Sequence, residues 1–115
     1  MNNMKPTQEQ IKEFWEWCGF KFYQPIENGA IDVVYPDDTV CLSPVKLAFP
    51  LLDLNNLFKY AVPKLTRYEM FIITGICHVH VNIGSTYEKG DNELPELALF
   101  WAIWKLIKRG IYATH

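Results

Sequence analysis

The sequence predicts an α+β fold: an antiparallel sheet of about four to five strands with three helices, in the order α-β-β-α-β-β-α. Three observations predict it. Segments near both ends repeat apolar residues at helical spacing between recognisable start and stop residues. The run Cys77–Ile83 instead alternates apolar and polar residues, the mark of a one-sided strand. At 115 residues, half of them hydrophobic, the chain has room for one domain, taken as residues 1–115.

The first helix begins at a T-x-x-Q capping box, Thr7 with Gln10, whose side chains satisfy free N–H groups of the first turn. Ile11, Phe14, Trp15 and Cys18 form its apolar face, while Gln8, Lys12, Glu13 and Glu16 face away. Gly19 is placed to end it, because glycine enters the left-handed region without steric cost. FKFY alternates weakly, Glu27-Asn28-Gly29 marks a turn and IDVVY is β-branched. Pro36-Asp37-Asp38 is a second turn, and residues 31–42 read as a hairpin returning through TVCL.

Asp53 is the N-cap of a second helix with Leu54, Leu57, Phe58 and Ala61 on one face, which Pro63 must end or kink. Strands are expected over Phe71–Thr74 and Cys77–Ile83, paired around Gly75 or across a longer connection. Cys77, Val79, Val81 and Ile83 then face one way, and His78, His80 and Asn82 the other. Gly84–Asn92 reads as a loop or a short edge strand. Pro95 suits the first turn of the last helix, and Gly110 closes it.

That last helix, LALFWAIWKLIKRG, is unusually apolar. Leu106, Leu99, Ile103, Ile107, Phe100, Trp104, Leu97 and Trp101 sweep roughly 220° of its wheel, leaving Lys105, Arg109, Ala98 and Ala102 on the other side. The surplus predicts an interface at Leu97, Trp101, Trp104 and Lys108. Trp17, at the edge of the first helix's stripe, joins them. A homo-oligomer through this helix is the expectation, set against a core that simply uses large residues.

Composition excludes some functions. A net charge of −2 and a pI near 5.9 argue against binding duplex DNA, which needs a basic face. The C-terminal apolar run falls short of the ~20 residues that span a bilayer, and MNNMKPTQEQ has no apolar signal core. Cys18, Cys41 and Cys77 make no metal-type pair and read as reduced thiols, so a cytoplasmic protein is expected. No phosphate loop, nucleophile elbow, HExxH or Ser/His/Asp set occurs, and no cofactor is expected.

Three segments, EQIKEFWEWCGF, DLNNLFKYAVPKL and LALFWAIWKLIK, resemble those of small phage- and prophage-encoded proteins of the phage ABA sandwich class. The likeness covers Gln8–Phe20, Asp53–Leu65 and Glu96–Lys108 and lies in packing motifs, so it carries over no site residue. It implies an α/β/α layered fold and a non-enzymatic accessory role in the host cytoplasm. The work of such factors is frequently to antagonise host defence, by blocking a defence protein or sequestering a nucleotide signal.

His78 and His80, at i and i+2 on one strand face, could ligate one metal, which makes a small metal-dependent hydrolase the alternative. A third ligand (Glu69, Glu88 or Asp91) is not fixed by spacing. The plainer reading is a polar, solvent-facing strand. Between them stands a ligand-binding set of His78, His80 and Asn82 lining a site for an anionic molecule. Asp37-Asp38 reads as turn chemistry, and Asn55-Asn56 as exposed or capping amides. A structural role in phage assembly is the third class.

Overall fold

The computed structural model describes residues 5–23, 30–36, 40–44 and 50–110. They divide into two compact units, one within Thr7–Leu51 and the other from Leu52 onward. The chain is α+β, but the single sheet of four to five strands is not what forms. Among the described residues there are two antiparallel sheets of three strands each, β1-β2-β3 and β4-β5-β6, so the order gains one strand in each half.

In the first unit, α1 spans Gln8–Trp17. Its capping box is complete: the Gln10 N–H donates to Thr7 Oγ1 at 3.1 Å, and the Thr7 N–H donates to Gln10 Oε1 at 2.9 Å. Gly19, at φ +110°, turns the chain out of the helix as its residue type predicts. The strands are β1 (Lys21–Tyr23), β2 (Ala30–Val34) and β3 (Val40–Pro44). Val34 opposite Val40 sets the predicted hairpin, and β1 adds to the free side of β2. Phe14, Trp15, Cys18, Phe20 and Val33 are buried. The aromatic rings meet edge-on, with Trp15 5.2 Å from Phe14 and 5.4 Å from Phe20. The turns expected at Glu27–Gly29 and Asp37-Asp38 lie outside the described residues, as does the side chain of Cys41.

The second unit opens with α2 (Leu54–Asn56), capped as predicted by the Asp53 carboxylate, which accepts from the Asn56 N–H at 2.8 Å. The helix does not continue regularly. It widens to a π-turn over Leu57–Ala61 and tightens to a 3₁₀ turn over Val62–Lys64, where Pro63 withholds its N–H. Leu57 and Ala61 are buried, but Phe58 of the expected face is exposed, resting against Tyr68 at 5.7 Å between ring centroids.

Three strands follow: β4 (Arg67–Ile73), β5 (Ile76–Ile83) and β6 (Thr86–Asn92). Thr74 (φ +49°) and Gly75 (φ +79°) make the two-residue turn between the first pair. Of the two readings of Gly84–Asn92, loop or short edge strand, β6 is the edge strand, at seven residues. Its sequence, TYEKGDN, lacks the apolar alternation of a strand because it is an edge with one face wet. The helix α3 spans Pro95–Lys108 and packs on β6, β5 and the π-turn. Its entry is held by Asn92, a buried polar residue whose Oδ1 accepts from the Leu94 N–H at 3.0 Å.

The wheel of α3 is oriented differently from expectation. Ala98, Ala102, Lys105 and Arg109, read from sequence as the side left over, are the residues that meet β6. A Cβ on Gly90 would lie 2.5 Å from the Ala98 carbonyl oxygen and 2.8 Å from the Ala102 nitrogen, so helix backbone rests directly on strand backbone. Further along the same stripe, Lys105 Nζ donates to the Lys89 carbonyl at 2.7 Å. Arg109 Nη1 donates to the Glu88 carboxylate at 2.7 Å and the Tyr87 carbonyl at 3.4 Å. Small residues admit the strand, and long cations bond its backbone. No helix among the described residues is long and apolar enough to cross a membrane.

Gly90→Ala is therefore expected to cost about 2–3 kcal/mol, because the obstructing atoms are backbone and cannot rotate away. Gly84→Ala meets nothing within 4 Å at a left-handed φ of +61° and is expected to cost about 1 kcal/mol. Chemical denaturation of the two variants beside the parent checks both, and equal losses would refute the close-approach reading.

Candidate functional site

The two faces of the β4-β5-β6 sheet are unlike. Cys77, Val79 and Val81 are buried, as the alternation predicts, on the face that meets α3. The opposite face carries the chemistry. Strand register sets nine of its residues in three rows across the sheet: Phe71–His78–Asp91, Glu69–His80–Lys89 and Arg67–Asn82–Tyr87. Residues directly opposite in an antiparallel pair share a face and lie within side-chain reach, so each row is a contact set.

Aromatic rings dominate its middle. Phe71 stacks on His78 at 5.4 Å and 20°, and meets His80 edge-on at 5.4 Å. His80 in turn meets Tyr87 edge-on at 5.5 Å. Phe71 and Tyr87 are exposed, and both histidines are half-buried. Four connected rings thus lie open on one side.

The polar groups frame them. His78 Nδ1 lies 2.7 Å from Asp91 Oδ1. A carboxylate only accepts, so Nδ1 donates, and Nε2 bonds to none of the described residues. His80 Nδ1 is 3.8 Å from Glu69 Oε1, beyond hydrogen-bond range. The side chains of Arg67 and Lys89 make no ion pair among the described residues. The face therefore presents two cations, two carboxylates (Glu69 and Asp91), an amide and two imidazoles around exposed ring edges and faces.

The predicted set His78, His80 and Asn82 is brought together on this face, one in each row. Phe71, Tyr87, Arg67 and Lys89 were missed. Phe71 was assigned to a strand without a face, and β6 was not recognised as a full strand, so neither could be set beside the histidines. For the metal alternative, no group of three His, Cys, Asp or Glu side chains with metal-holding geometry occurs among the described residues.

The predicted interface residues lie elsewhere. Leu97 and Trp104 are buried within the single chain, Trp101 and Trp17 are half-buried, and Lys108 is exposed with its ammonium 5.1 Å over the Trp104 ring. Cys18 and Cys77 are buried free thiols. The proton of Cys77 is held more tightly than usual, first because burial penalises the thiolate and second because Asp91 repels it.

No family model, curated protein or solved structure matches the chain.

The raised Cys77 pKa fixes a sign. Folding favours the neutral thiol, so the contribution is neutral while both states are protonated. Stability then falls as pH rises above the ordinary value of 9.0, where the unfolded chain releases a proton the folded chain keeps. Alkylation of Cys77 at neutral pH should be far slower in the folded protein than in the denatured one, and Asp91→Asn should speed it. Peptide-resolved labelling with iodoacetamide checks this; equal folded and denatured rates would refute it.

Proposed function

We propose that the protein is a non-enzymatic binding protein that holds a nucleotide-type ligand on the open face of β4-β5-β6. The observation that carries this reading is the exposed ring cluster Phe71–His78–His80–Tyr87 flanked by Arg67 and Lys89, whose side chains make no ion pair among the described residues. A planar base gains stacking energy on such rings whatever its identity. Arg67 and Lys89 supply positive charge for a phosphate, and Asn82, between Arg67 and Tyr87, offers both a donor and an acceptor to a base edge. The overall negative charge of the chain favours a small ligand over a long polyanion.

In the phage setting that the three packing motifs suggest, such a protein would act in the host cytoplasm by sequestering a nucleotide signal of a defence system. Blocking a defence protein with the same face is the competing binding mode. The metal-dependent alternative has less support, because no group of three side chains that could hold a metal occurs among the described residues.

The test is direct. Untagged protein analysed by native mass spectrometry should carry a co-purified nucleotide, and amide shifts on adding mono- and cyclic nucleotides should map to β4, β5 and β6. Phe71→Ala should weaken binding roughly tenfold, the scale of one lost base stack, while circular dichroism stays unchanged. Absence of retained ligand together with absence of shifts for every nucleotide tried would overturn the reading.

A further inference from the structure

The two edges of the β4-β5-β6 sheet are treated oppositely. β6 is polar and charged, and Lys105 and Arg109 bond the carbonyls of Lys89 and Tyr87. β4 has no such protection: among the described residues nothing pairs with its outer side. Its sequence, RYEMFII, puts Tyr68, Met70 and Ile72 on one face and Arg67, Glu69, Phe71 and Ile73 on the other, with Tyr68 42%, Phe71 40%, Ile72 66% and Ile73 54% exposed. Edge strands of isolated domains normally carry charges, prolines or bulges that prevent pairing with another chain. β4 is regular over seven residues, has no proline, and carries charge only at Arg67 and Glu69.

From this asymmetry we infer that β4 pairs antiparallel with β4 of a second copy, joining the two sheets into one of six strands. One open edge and one closed edge give a closed two-fold dimer and no fibre. The strand is complementary to itself in charge. Arg67 and Glu69 lie two residues apart on the same face, so pairing about Tyr68 sets each Arg67 opposite Glu69 of the second copy, twice. The same register sets Tyr68 opposite Tyr68, and Leu65, which is extended at φ −87° and ψ 147°, opposite Phe71. A strand from an unrelated protein would need apolar residues on both faces and the same cation–anion spacing; the second copy supplies them by identity. The two-fold axis stands perpendicular to the sheet, so the histidine faces of both copies lie on one side.

The inference does not rest on the nucleotide reading, because it concerns the free protein. Sedimentation velocity on the ligand-free, full-length chain at tens of micromolar should show a dimer. Arg67→Glu, which sets like charges opposite each other twice, should raise the dimer dissociation constant roughly tenfold. The swap Arg67→Glu with Glu69→Arg should restore it. Tyr68→Lys, which sets like charges opposite each other on the axis, should also weaken the dimer, and circular dichroism reports whether each variant folds. A monomeric parent protein overturns the inference. So does a dimer indifferent to Arg67→Glu and Tyr68→Lys, or a swap that fails to rescue while the variant remains folded.

Discussion

The second unit is organised by the contact between Gly90 and the backbone of α3. With no side chain at Gly90 and only methyl groups at Ala98 and Ala102, the helix descends onto β6. That closeness fixes its lateral position. A helix is about 10 Å across and strands lie about 4.8 Å apart, so a helix seated on an edge strand covers that strand and its neighbour. α3 accordingly covers β6 and β5 and stops short of β4. The uncovered apolar β4 is thus a consequence of where the helix was admitted.

The same contact explains the division of labour among charges. Once Ala98 and Ala102 sit on β6, the next positions of that stripe, Lys105 and Arg109, must also run along it. Their long side chains then bond strand carbonyls and Glu88. Exposed ion pairs contribute little stability, so their main effect here is geometric. They occupy acceptors that another strand would need. On the far face of the sheet nothing packs among the described residues of this unit, and the strand alternation delivers every ring and polar group of the three rows to one open surface.

Where a local rule decides structure, the residues could be read in advance. The capping box at Thr7, the positive-φ glycines Gly19 and Gly110, the Asp53 cap and the alternation of β5 each depend on near neighbours only. β6 could not be read this way, because a polar strand with glycine is defined by its pairing and by the helix pressing on it. The same limit applied to α3. Counting apolar residues on the wheel identified a wide arc but could not reveal that the narrow, small-residue side meets β6. The His78-Val-His80 pattern was legible, whereas Phe71 and Tyr87 join it only through cross-strand register. The π-turn at Leu57–Ala61 left no local signature beyond the proline that follows.

The open face and the open edge are linked through shared residues. Arg67, Glu69 and Phe71 belong to the three rows and to β4 at once, so a ligand seated on the rows touches the strand on which pairing depends. A two-fold axis normal to the sheet would set the rows of both copies side by side without covering either. A ligand bridging them would bind the dimer and not the monomer, and by mass action would strengthen the association that creates its site. Reciprocity then requires the dimer to bind such a ligand more tightly than the monomer does, by the same factor. A ligand confined to one copy's rows that leaves Arg67 paired with Glu69 of the second copy has no differential affinity and leaves the association unchanged. The size of the bound molecule, relative to the spacing of the two Phe71 rings across the axis, therefore decides whether binding and assembly are one event or two.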